Sequence, residues 1–463
     1  MIRVSDFAFN YSISKQAAVA VSKLDIAAGE CIVLCGKSGS GKTTFTRLVN
    51  GLIPEIYEGE WTGSFQTGSL EIGENDIEQY ASVTGSVFQN PNTQFFHLNS
   101  TKEMAFSSEN AGIEPEQIFK NITKISEELE LKALLNRNLF DLSGGERQKV
   151  AFGAAAIHGP KVIVLDEPTS SLDEKSIEAV AQMIRELKTK GMTVILAEHR
   201  LAYLNGVADR YCFFEDGKLN AVYSSEEFLA LGNEGLHQKG LRSTDLASYK
   251  KEVQKRKEIV EYKKDSLLAG EHLAIGYKKQ AVLKNIPSFS IEKPMIFGIM
   301  GANGTGKTTF VKSLAGLIPF KDGKVYWKGK AQTTKQMVKR CFLVMQDVHY
   351  QLFSESVKQE ILLGAGAPEI YETVIDLLGL KELESRHPVS LSGGEQQRVM
   401  IAAAICSGKD ILIFDEPTSG LDYENMEAVT NLMKQLKAMG KIIFVITHDQ
   451  ELAAKSCDHI MSF

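Results

Sequence analysis

The stretch Gly36-Lys-Ser-Gly-Ser-Gly-Lys-Thr-Thr44 decides the fold of this chain, and it recurs as Gly301-Ala-Asn-Gly-Thr-Gly-Lys-Thr-Thr309. Both stretches have the pattern G-x-x-x-x-G-K-[ST], and each follows a short apolar run. A glycine-rich turn with a surface lysine would explain one such stretch, but it explains two complete copies poorly. The pattern predicts a loop that wraps backbone N–H groups around phosphates and then opens a helix.

The residues of these loops are expected to hold a nucleotide. The glycines let the backbone approach the phosphates, the lysines contact the β- and γ-phosphates, and the first threonine of each loop ligates Mg²⁺. The predicted nucleotide-binding residues are Gly36, Gly39, Gly41, Lys42, Thr43 and Thr44 in the first copy, and Gly301, Gly304, Gly306, Lys307, Thr308 and Thr309 in the second.

Three further motifs repeat in the same order. Leu142-Ser-Gly-Gly-Glu146, Asp166-Glu-Pro-Thr169 and His199 each recur 249 positions later, whereas the glycine loop recurs after 265 positions (301 − 36). The second copy is therefore shorter between its first two motifs, as surface loops tolerate, and the later spacing is constrained. The repeat predicts one domain over 1–225, a charged connector over 226–266 and a second domain over 267–463.

Length and composition agree with this division. A chain of 463 residues fits two or three domains, and its net charge of −6 argues against a protein that binds nucleic acid. Its six scattered cysteines suit a reducing cytosol. No apolar stretch approaches the ~18 residues of a membrane span, so any membrane attachment is expected to run through a partner.

The acidic motif ends an apolar run in both copies. Asp166 and Asp415 are predicted to hold Mg²⁺, and Glu167 and Glu416 to orient and polarise the attacking water. An acidic turn at a strand end would explain either motif taken alone. The glycine loops beside them favour the catalytic interpretation.

A histidine follows the next apolar run in each copy. His199 lies 33 positions after Asp166, and His448 lies 33 positions after Asp415. A lone histidine is more often a surface or core residue than a catalytic one. The repeated spacing favours contact with the γ-phosphate.

The Ser-Gly-Gly-Glu motif has a structural explanation and a functional one. Ser143 with Glu146, and Ser392 with Glu395, match the S-x-x-E capping box of a helix start. That pattern does not explain two adjacent glycines, which cost conformational entropy. We therefore predict a second anion site at each motif, which includes Gly145 and Gly394.

The apolar runs before these motifs predict buried strands of a largely parallel sheet. Ile32–Cys35, Val162–Leu165 and Val194–Ala197 are matched in the second copy by Ile411–Phe414 and Ile442–Ile446. Ligands bind beyond the carboxyl ends of such strands, where all the motifs fall. The fold class is therefore α/β.

The combination of these motifs resembles the nucleotide-binding subunits of ABC ATPases. The glycine loops are similar to the family's Walker A motif, D-E-P-T to Walker B and L-S-G-G-E to its signature. The resemblance implies two tandem P-loop NTPase domains, each with a mostly parallel core sheet, an antiparallel β subdomain and a helical subdomain. It also implies an ATPase that uses ATP and Mg²⁺.

The resemblance adds further residues. Gln89 and Gln346 resemble the Q-loop glutamines, which approach Mg²⁺ and sense a transmembrane partner. Tyr11 and Tyr277 resemble the aromatic residues that stack on adenine, although core tyrosines are an alternative. Cassettes of this family close head to tail on two ATP molecules, which implies an intramolecular pseudo-dimer of the two domains here, with Lys42 sharing a nucleotide with Ser392 and Lys307 sharing one with Ser143.

The Q-loop regions resemble those of energy-coupling-factor and cobalt-type importer ATPases. The stretches are Phe88-Gln-Asn-Pro-Asn-Thr-Gln-Phe-Phe96 and Gln346-Asp-Val-His-Tyr-Gln-Leu-Phe353. This implies a translocase component at the cytoplasmic face of the cell membrane, peripheral to it, which drives uptake of a vitamin or transition-metal ion. Its partners would be a transmembrane T subunit and a substrate-capture S subunit, with no nucleic acid. The alternatives are a soluble tandem ATPase acting on ribosomes or DNA, and a tandem sugar-importer ATPase.

Overall fold

The computed structural model describes residues 1–12, 17–170, 172–257, 262–277 and 282–463. The chain forms two compact units. The first comprises Met1–Asp245 with Asp422–Glu424, and the second comprises Leu246–Leu421 with Asn425–Phe463. Residues of the expected connector 226–266 thus contribute to both units, and the domain boundaries drawn from the sequence remain a prediction.

The first unit combines ten strands with nine helices in its described part. The strands are β1 (Ile2–Tyr11), β2 (Val19–Ile26), β3 (Cys31–Gly36), β4 (Gly59–Thr67), β5 (Leu70–Glu71), β6 (Thr84–Val87), β7 (Val162–Asp166), β8 (Thr193–Ala197), β9 (Arg210–Glu215) and β10 (Lys218–Ser224). The helices are α1 (Lys42–Val49), α2 (Leu52–Glu55), α3 (Ile77–Val83), α4 (Ser100–Asn110), α5 (Pro115–Glu128), α6 (Gly144–Ala156), α7 (Glu174–Thr189), α8 (Ser225–Ala230) and α9 (Gly232–Gln238).

All ten of these strands belong to one sheet in the order β5-β4-β1-β2-β10-β9-β3-β8-β7-β6. The strands β9, β3, β8, β7 and β6 pair in parallel, whereas β1, β2, β4 and β5 pair antiparallel. The central strand β3 is buried at every position, because Val33 and Cys35 enter one apolar cluster while Ile32 and Leu34 enter another. Burial on both faces explains its uninterrupted apolar sequence.

The second unit repeats this plan with its strands divided between two sheets. Its strands are β11 (Leu268–Ile275), β12 (Lys284–Asn285), β13 (Phe289–Ile291), β14 (Ile296–Met300), β15 (Asp322–Trp327), β16 (Lys330–Ala331), β17 (Cys341–Val344), β18 (Ile411–Asp415), β19 (Ile442–Ile446) and β20 (His459–Ser462). The parallel sheet has the order β17-β18-β19-β14-β20, and β11, β12, β13, β15 and β16 form the antiparallel one.

The helices of the second unit begin before its glycine loop, whereas those described in the first unit begin with α1 directly after the loop. They are α10 (Ala247–Lys255), α11 (Lys307–Leu314), α12 (Thr334–Arg340), α13 (Val357–Leu362), α14 (Tyr371–Leu377), α15 (Gly393–Cys406), α16 (Tyr423–Ala438) and α17 (Gln450–Ser456). Helices α4–α6 and α13–α15 form the helical subdomains between the Q-loop and Walker B regions. The predicted α/β fold, with its parallel core and its antiparallel and helical subdomains, is confirmed in both units.

The five apolar runs singled out in the sequence lie within β3, β7, β8, β18 and β19, as predicted. Each of the two acidic motifs begins at the last residue of its strand. Across the described residues, we find no helix with the length and apolar character needed to cross a membrane.

Candidate functional site

The first glycine loop lies between β3 and α1. Gly41 precedes the helix with φ +100°, and a Cβ there would approach the carbonyl oxygen of Ala18 to 2.6 Å. The Lys42 ammonium is buried and donates hydrogen bonds to the carbonyl oxygens of Gly36 and Lys37, both at 2.9 Å. Its burial lowers the pKa of Lys42. The loop therefore places a cation inside a ring of backbone groups, as a phosphate site requires.

The second glycine loop has the same geometry between β14 and α11. Gly306 precedes the helix with φ +100°, and the Lys307 ammonium donates to the carbonyl oxygens of Gly301 and Ala302 at 2.7 and 2.8 Å. Two loops from distant parts of the chain thus adopt one local structure. This supports the nucleotide-binding role predicted for both.

The acidic residues Asp166 and Asp415 end β7 and β18, and in each unit one strand separates that strand from the one that leads into the glycine loop. The Thr308 hydroxyl donates to the Asp415 carboxylate at 3.0 Å, and burial raises the pKa of Asp415. Burial also raises the pKa of Asp166. The second unit therefore brings together a hydroxyl and a carboxylate, which are oxygen ligands of the kind Mg²⁺ prefers.

The two predicted bases share an uncommon backbone conformation. Glu167 has φ +44° and Glu416 has φ +50°. Left-handed backbone in a non-glycine residue costs on the order of 1–3 kcal/mol. In each unit the strained amide is held by the next strand: Glu167 N–H donates to Ala197 O at 2.8 Å, and Glu416 N–H to Ile446 O at 3.0 Å. The fold thus keeps the same strain at the same place twice.

In the first unit, two other predicted residues converge on Glu167. The Gln89 amide donates to its carboxylate at 2.8 Å, and His199 Nε2 lies 3.5 Å from it. Burial, followed by the nearby carboxylates of Glu198 and Asp166, raises the pKa of Glu167 to about 8. Burial holds the pKa of His199 well below its usual value. The structure therefore groups glutamate, glutamine and histidine at one point.

The second unit brings its histidine to the glutamate without the matching glutamine, as far as the described residues show. His448 Nε2 lies 3.5 Å from the Glu416 carboxylate and 3.0 Å from the side-chain oxygen of Asn303. Gln346 is exposed beyond β17, and its side chain makes no hydrogen bond within the described part of the chain. The structure thus separates Gln346 from the group that its counterpart Gln89 joins.

Both Ser-Gly-Gly-Glu motifs form the capping box that the sequence predicts. Ser143 is the N-cap of α6, and its hydroxyl lies 2.7 Å from the Glu146 carboxylate. Ser392 is the N-cap of α15, with the same 2.7 Å distance to Glu395. Backbone and side-chain hydrogen bonds from Ser143 lower the pKa of Glu146. Both serines are exposed. The anion site at each motif remains a prediction.

The two tyrosines lie next to the glycine loops. Tyr11 is partly buried, and its hydroxyl is 3.1 Å from Thr44 Oγ1. Tyr277 is 49% exposed, and its hydroxyl is 3.4 Å from Thr309 Oγ1. Tyr11 also packs edge-on against Phe9. Tyr11 is therefore partly a core residue, and adenine stacking by either tyrosine remains a prediction.

Two buried carboxylates near the histidines were not selected in the sequence. Glu198 precedes His199, whereas Asp449 follows His448. Each accepts a hydrogen bond from the threonine of the D-E-P-T motif in its own unit. The sequence did contain a signal for these carboxylates, since the matched histidines lie in E-H-R in one copy and in T-H-D in the other. The threonine contacts in the structure explain that difference.

Comparison with known proteins agrees with this geometry. The family model described as ABC transporter matches residues 20–170 and 283–419. Two proteins of Treponema denticola, provisionally named ABC transporter ATP-binding proteins, are 39% and 36% identical; the alignments cover 100% and 99% of this chain and 95% and 94% of theirs.

Among solved structures, a model of ribosome-bound archaeal Pelota and ABCE1 contains a similar chain. The match covers 99% of this chain and 76% of that one, with 24% identity and a TM-score of 0.71. Identity at this level carries information about the fold and none about the partner. It agrees with two tandem units of the same class.

Proposed function

The chain belongs to the ABC transporter family of ATP-binding proteins, and from that premise we propose that it is the energy-coupling subunit of an importer. It is an ATPase with two ATP-binding domains. We place it in the energy-coupling-factor class because of the residues around Gln89 and Gln346. It would drive uptake of a vitamin or transition-metal ion, as a peripheral protein on the cytoplasmic face of the cell membrane.

Each domain contains groups suited to hydrolysis. The glycine loops and their lysines bind the phosphates, while Glu167 and Glu416 orient water for attack and His199 and His448 contact the γ-phosphate. The oxygen ligands Thr43, Asp166, Thr308 and Asp415, with Gln89 and Gln346, would hold Mg²⁺. When bound, Mg²⁺ neutralises charge on the phosphates.

The two domains would close head to tail on two ATP molecules. One ATP would lie between Lys42 and Ser392, and the other between Lys307 and Ser143. ATP favours the closed form through its greater affinity for it, and hydrolysis removes that preference. Neither domain would therefore hydrolyse ATP efficiently by itself.

The exposed aromatic residue beyond each Q-loop is the observation that carries the importer proposal. Phe96 is 76% exposed and Phe353 is 78% exposed. A buried glutamate holds each segment: Glu103 accepts from the backbone N–H of Phe96 at 2.9 Å, and Glu360 from that of Phe353 at 2.7 Å. Rigid, exposed apolar groups of this kind mark a partner surface.

The Q-loop segments are fixed in a second matching way. The Gln94 amide accepts from Phe88 N–H at 3.1 Å and donates to the Ser86 carbonyl at 2.9 Å. Gln351 makes the corresponding two bonds, at 2.7 and 2.9 Å. A groove of about 380 Å³ runs beside the first segment, with Phe96 in its wall. Its volume and partly apolar lining suit a few side chains that project from a helix of a membrane subunit.

Affinity purification of the full chain from solubilised membranes of its native cells tests the proposal. We expect subunits with membrane-spanning helices, identified by mass spectrometry. Replacing Phe96 and Phe353 with serine should abolish their recovery. Phe119→Ser is the matched control, because Phe119 is 68% exposed but lies on α5.

The alternative function is a soluble tandem ATPase that acts on ribosomes or DNA. Recovery of ribosomes or DNA, without membrane subunits, would favour that function and refute the importer. Equal recovery of membrane subunits by all variants would refute the assigned docking surface.

A further inference from the structure

The two histidines reach the same position through different neighbours. His199 and His448 both lie 3.5 Å from the glutamate of their own unit. The residues on either side differ: Glu198 and Arg200 in the first unit, and Thr447 and Asp449 in the second. Equal geometry from unequal sequences calls for a shared contact.

In the first unit, the carboxylate before the histidine provides that contact. Glu198 is 2% exposed and its carboxylate accepts from the Thr169 hydroxyl at 2.6 Å. It also accepts from the Tyr203 hydroxyl at 3.1 Å and from the backbone N–H groups of His199 and Arg200 at 2.8 and 3.1 Å. Four hydrogen bonds satisfy the buried carboxylate and fix the turn that carries the histidine.

Tyr203 supports the same arrangement. Burial, followed by the charge of Glu198, holds the pKa of the Tyr203 hydroxyl well above its usual value, so it stays a donor. Arg200 points elsewhere, with its guanidinium donating to the carbonyl of Leu172 at 3.2 Å. In this unit the carboxylate that contacts the threonine thus belongs to Glu198, which lies between the end of β8 and the histidine.

In the second unit, the carboxylate after the histidine makes the equivalent contact. Asp449 is 6% exposed and accepts from the Thr418 hydroxyl at 3.0 Å. It also caps α17, accepting from the N–H groups of Glu451 and Leu452 at 3.0 and 3.1 Å. Thr447 occupies the position of Glu198, and its hydroxyl accepts from Asp449 N–H at 3.0 Å.

We infer that Glu198 and Asp449 are positioning residues, which hold His199 and His448 through the threonine of the D-E-P-T motif. Each carboxylate–threonine pair, Glu198–Thr169 or Asp449–Thr418, joins the turn that carries the histidine to the strand end that carries the glutamate. The carboxylate of the pair can come from the residue before the histidine, as in the first unit, or from the residue after it, as in the second. The inference rests on the predicted catalytic role of the histidines and is independent of the importer proposal.

Steady-state ATPase measurements on the full chain test this, with one substitution that removes the hydroxyl and one that retains it. Replacing Thr169 and Thr418 with valine removes the donor at nearly constant volume, whereas serine retains it. We expect the double valine variant to lose about tenfold or more in kcat, with KM for ATP changed by less than about threefold. The double serine variant should stay within about twofold of the unchanged chain. Equal kcat in the two variants would overturn the inference.

Replacing both histidines with alanine separates the two possible failures. If this variant hydrolyses ATP at the original rate, the predicted role of the histidines is wrong. If it loses turnover but the valine variant does not, the histidines act without the pairs and the inference is wrong.

A relocated carboxylate provides a rescue test. Glu198→Thr should lower kcat, and adding Arg200→Asp should restore at least part of it by recreating the arrangement of the second unit. Circular dichroism establishes that both variants are folded. If kcat does not recover in the folded double variant, the claim that the carboxylate can lie on either side of the histidine is wrong.

Discussion

The two units of this protein differ most where their chemistry is expected to be the same. In the first unit, Gln89 contacts Glu167 at 2.8 Å, whereas its counterpart Gln346 is exposed. Within the described residues, the parallel and antiparallel strands form one sheet in the first unit and two sheets in the second. The histidine-to-glutamate distance is nevertheless 3.5 Å in both. The difference teaches that the histidine geometry is constrained, while the Q-loop has more than one arrangement.

The largest effect is expected from the glutamates, whose predicted catalytic role the two units share. Replacing Glu167 and Glu416 with glutamine should lower turnover about a hundredfold or more, because a general base typically contributes 10²–10⁴-fold. ATP binding should persist, and the nucleotide should be retained in a closed form. Filter binding and phosphate release measure the two properties. Unchanged phosphate release would remove the assignment of both bases.

The next largest effect is expected from the residues of the two domains that are proposed to share one ATP. Lys42→Ala and Ser392→Ala should be strongly non-additive in ATP hydrolysis if both groups contact one ATP, whereas Lys42→Ala and Ser143→Ala should combine nearly independently. Each substitution by itself should lower turnover about tenfold. A double-mutant cycle on kcat/KM measures the coupling. Coupling of Lys42 to Ser143 instead would exclude the head-to-tail arrangement.

The contrast between the Q-loops predicts a smaller, unequal effect. Gln89→Ala removes the 2.8 Å hydrogen bond to the partly buried Glu167 side chain and should slow ATP hydrolysis by up to about tenfold, since a hydrogen bond contributes roughly 0.5–1.5 kcal/mol. Gln346→Ala removes no such bond and should change the rate less. ATP hydrolysis rates of the two variants, measured on the full chain without partners, test whether Gln89→Ala has the larger effect. Equal losses would show that the two Q-loops act alike during turnover.

The smallest predicted effect concerns stability and involves a matched pair of glycines. A Cβ at Gly145 would approach Ser176 Oγ to 2.4 Å, whereas no atom of the described residues lies within 4 Å of one at Gly394. Gly145→Ala should destabilise the first unit by about 1–3 kcal/mol through overpacking. Gly394→Ala should be neutral or stabilise the second by up to about 1 kcal/mol. Denaturant unfolding without nucleotide checks the signs, and destabilisation by both substitutions would contradict them.

Much of the fold was predictable because its signals are local. An uninterrupted apolar run such as Ile32–Cys35 identifies a strand covered on both faces, and Ser143 with Glu146 identifies a helix start. The position of Asp166 followed from the run before it. The connector was harder, because mixed charges do not tell which unit a helix such as α8 or α9 will join.

The site was only partly predictable for a related reason. The glycine loops and the acidic motifs contain their geometry within a few residues, so two copies of a pattern were enough to identify them. The contacts of Gln89 and Glu198 join segments that are 78 and 29 residues apart in the chain. No local pattern encodes such a contact.

The sequence by itself determined two nucleotide loops, the parallel strands that carry them and the family to which they belong. It did so because phosphate-binding loops, capping boxes and buried strands depend on backbone conformation and on neighbouring residues. Only the tertiary structure decided that Gln346 makes no contact with Glu416 like that of Gln89 with Glu167, and that Glu198 and Asp449, on opposite sides of their histidines, contact the equivalent threonine of their own unit. Those relations depend on how strand ends that are distant in the sequence pack together. A buried carboxylate needs hydrogen-bond donors, and the packing decides which donors lie near it.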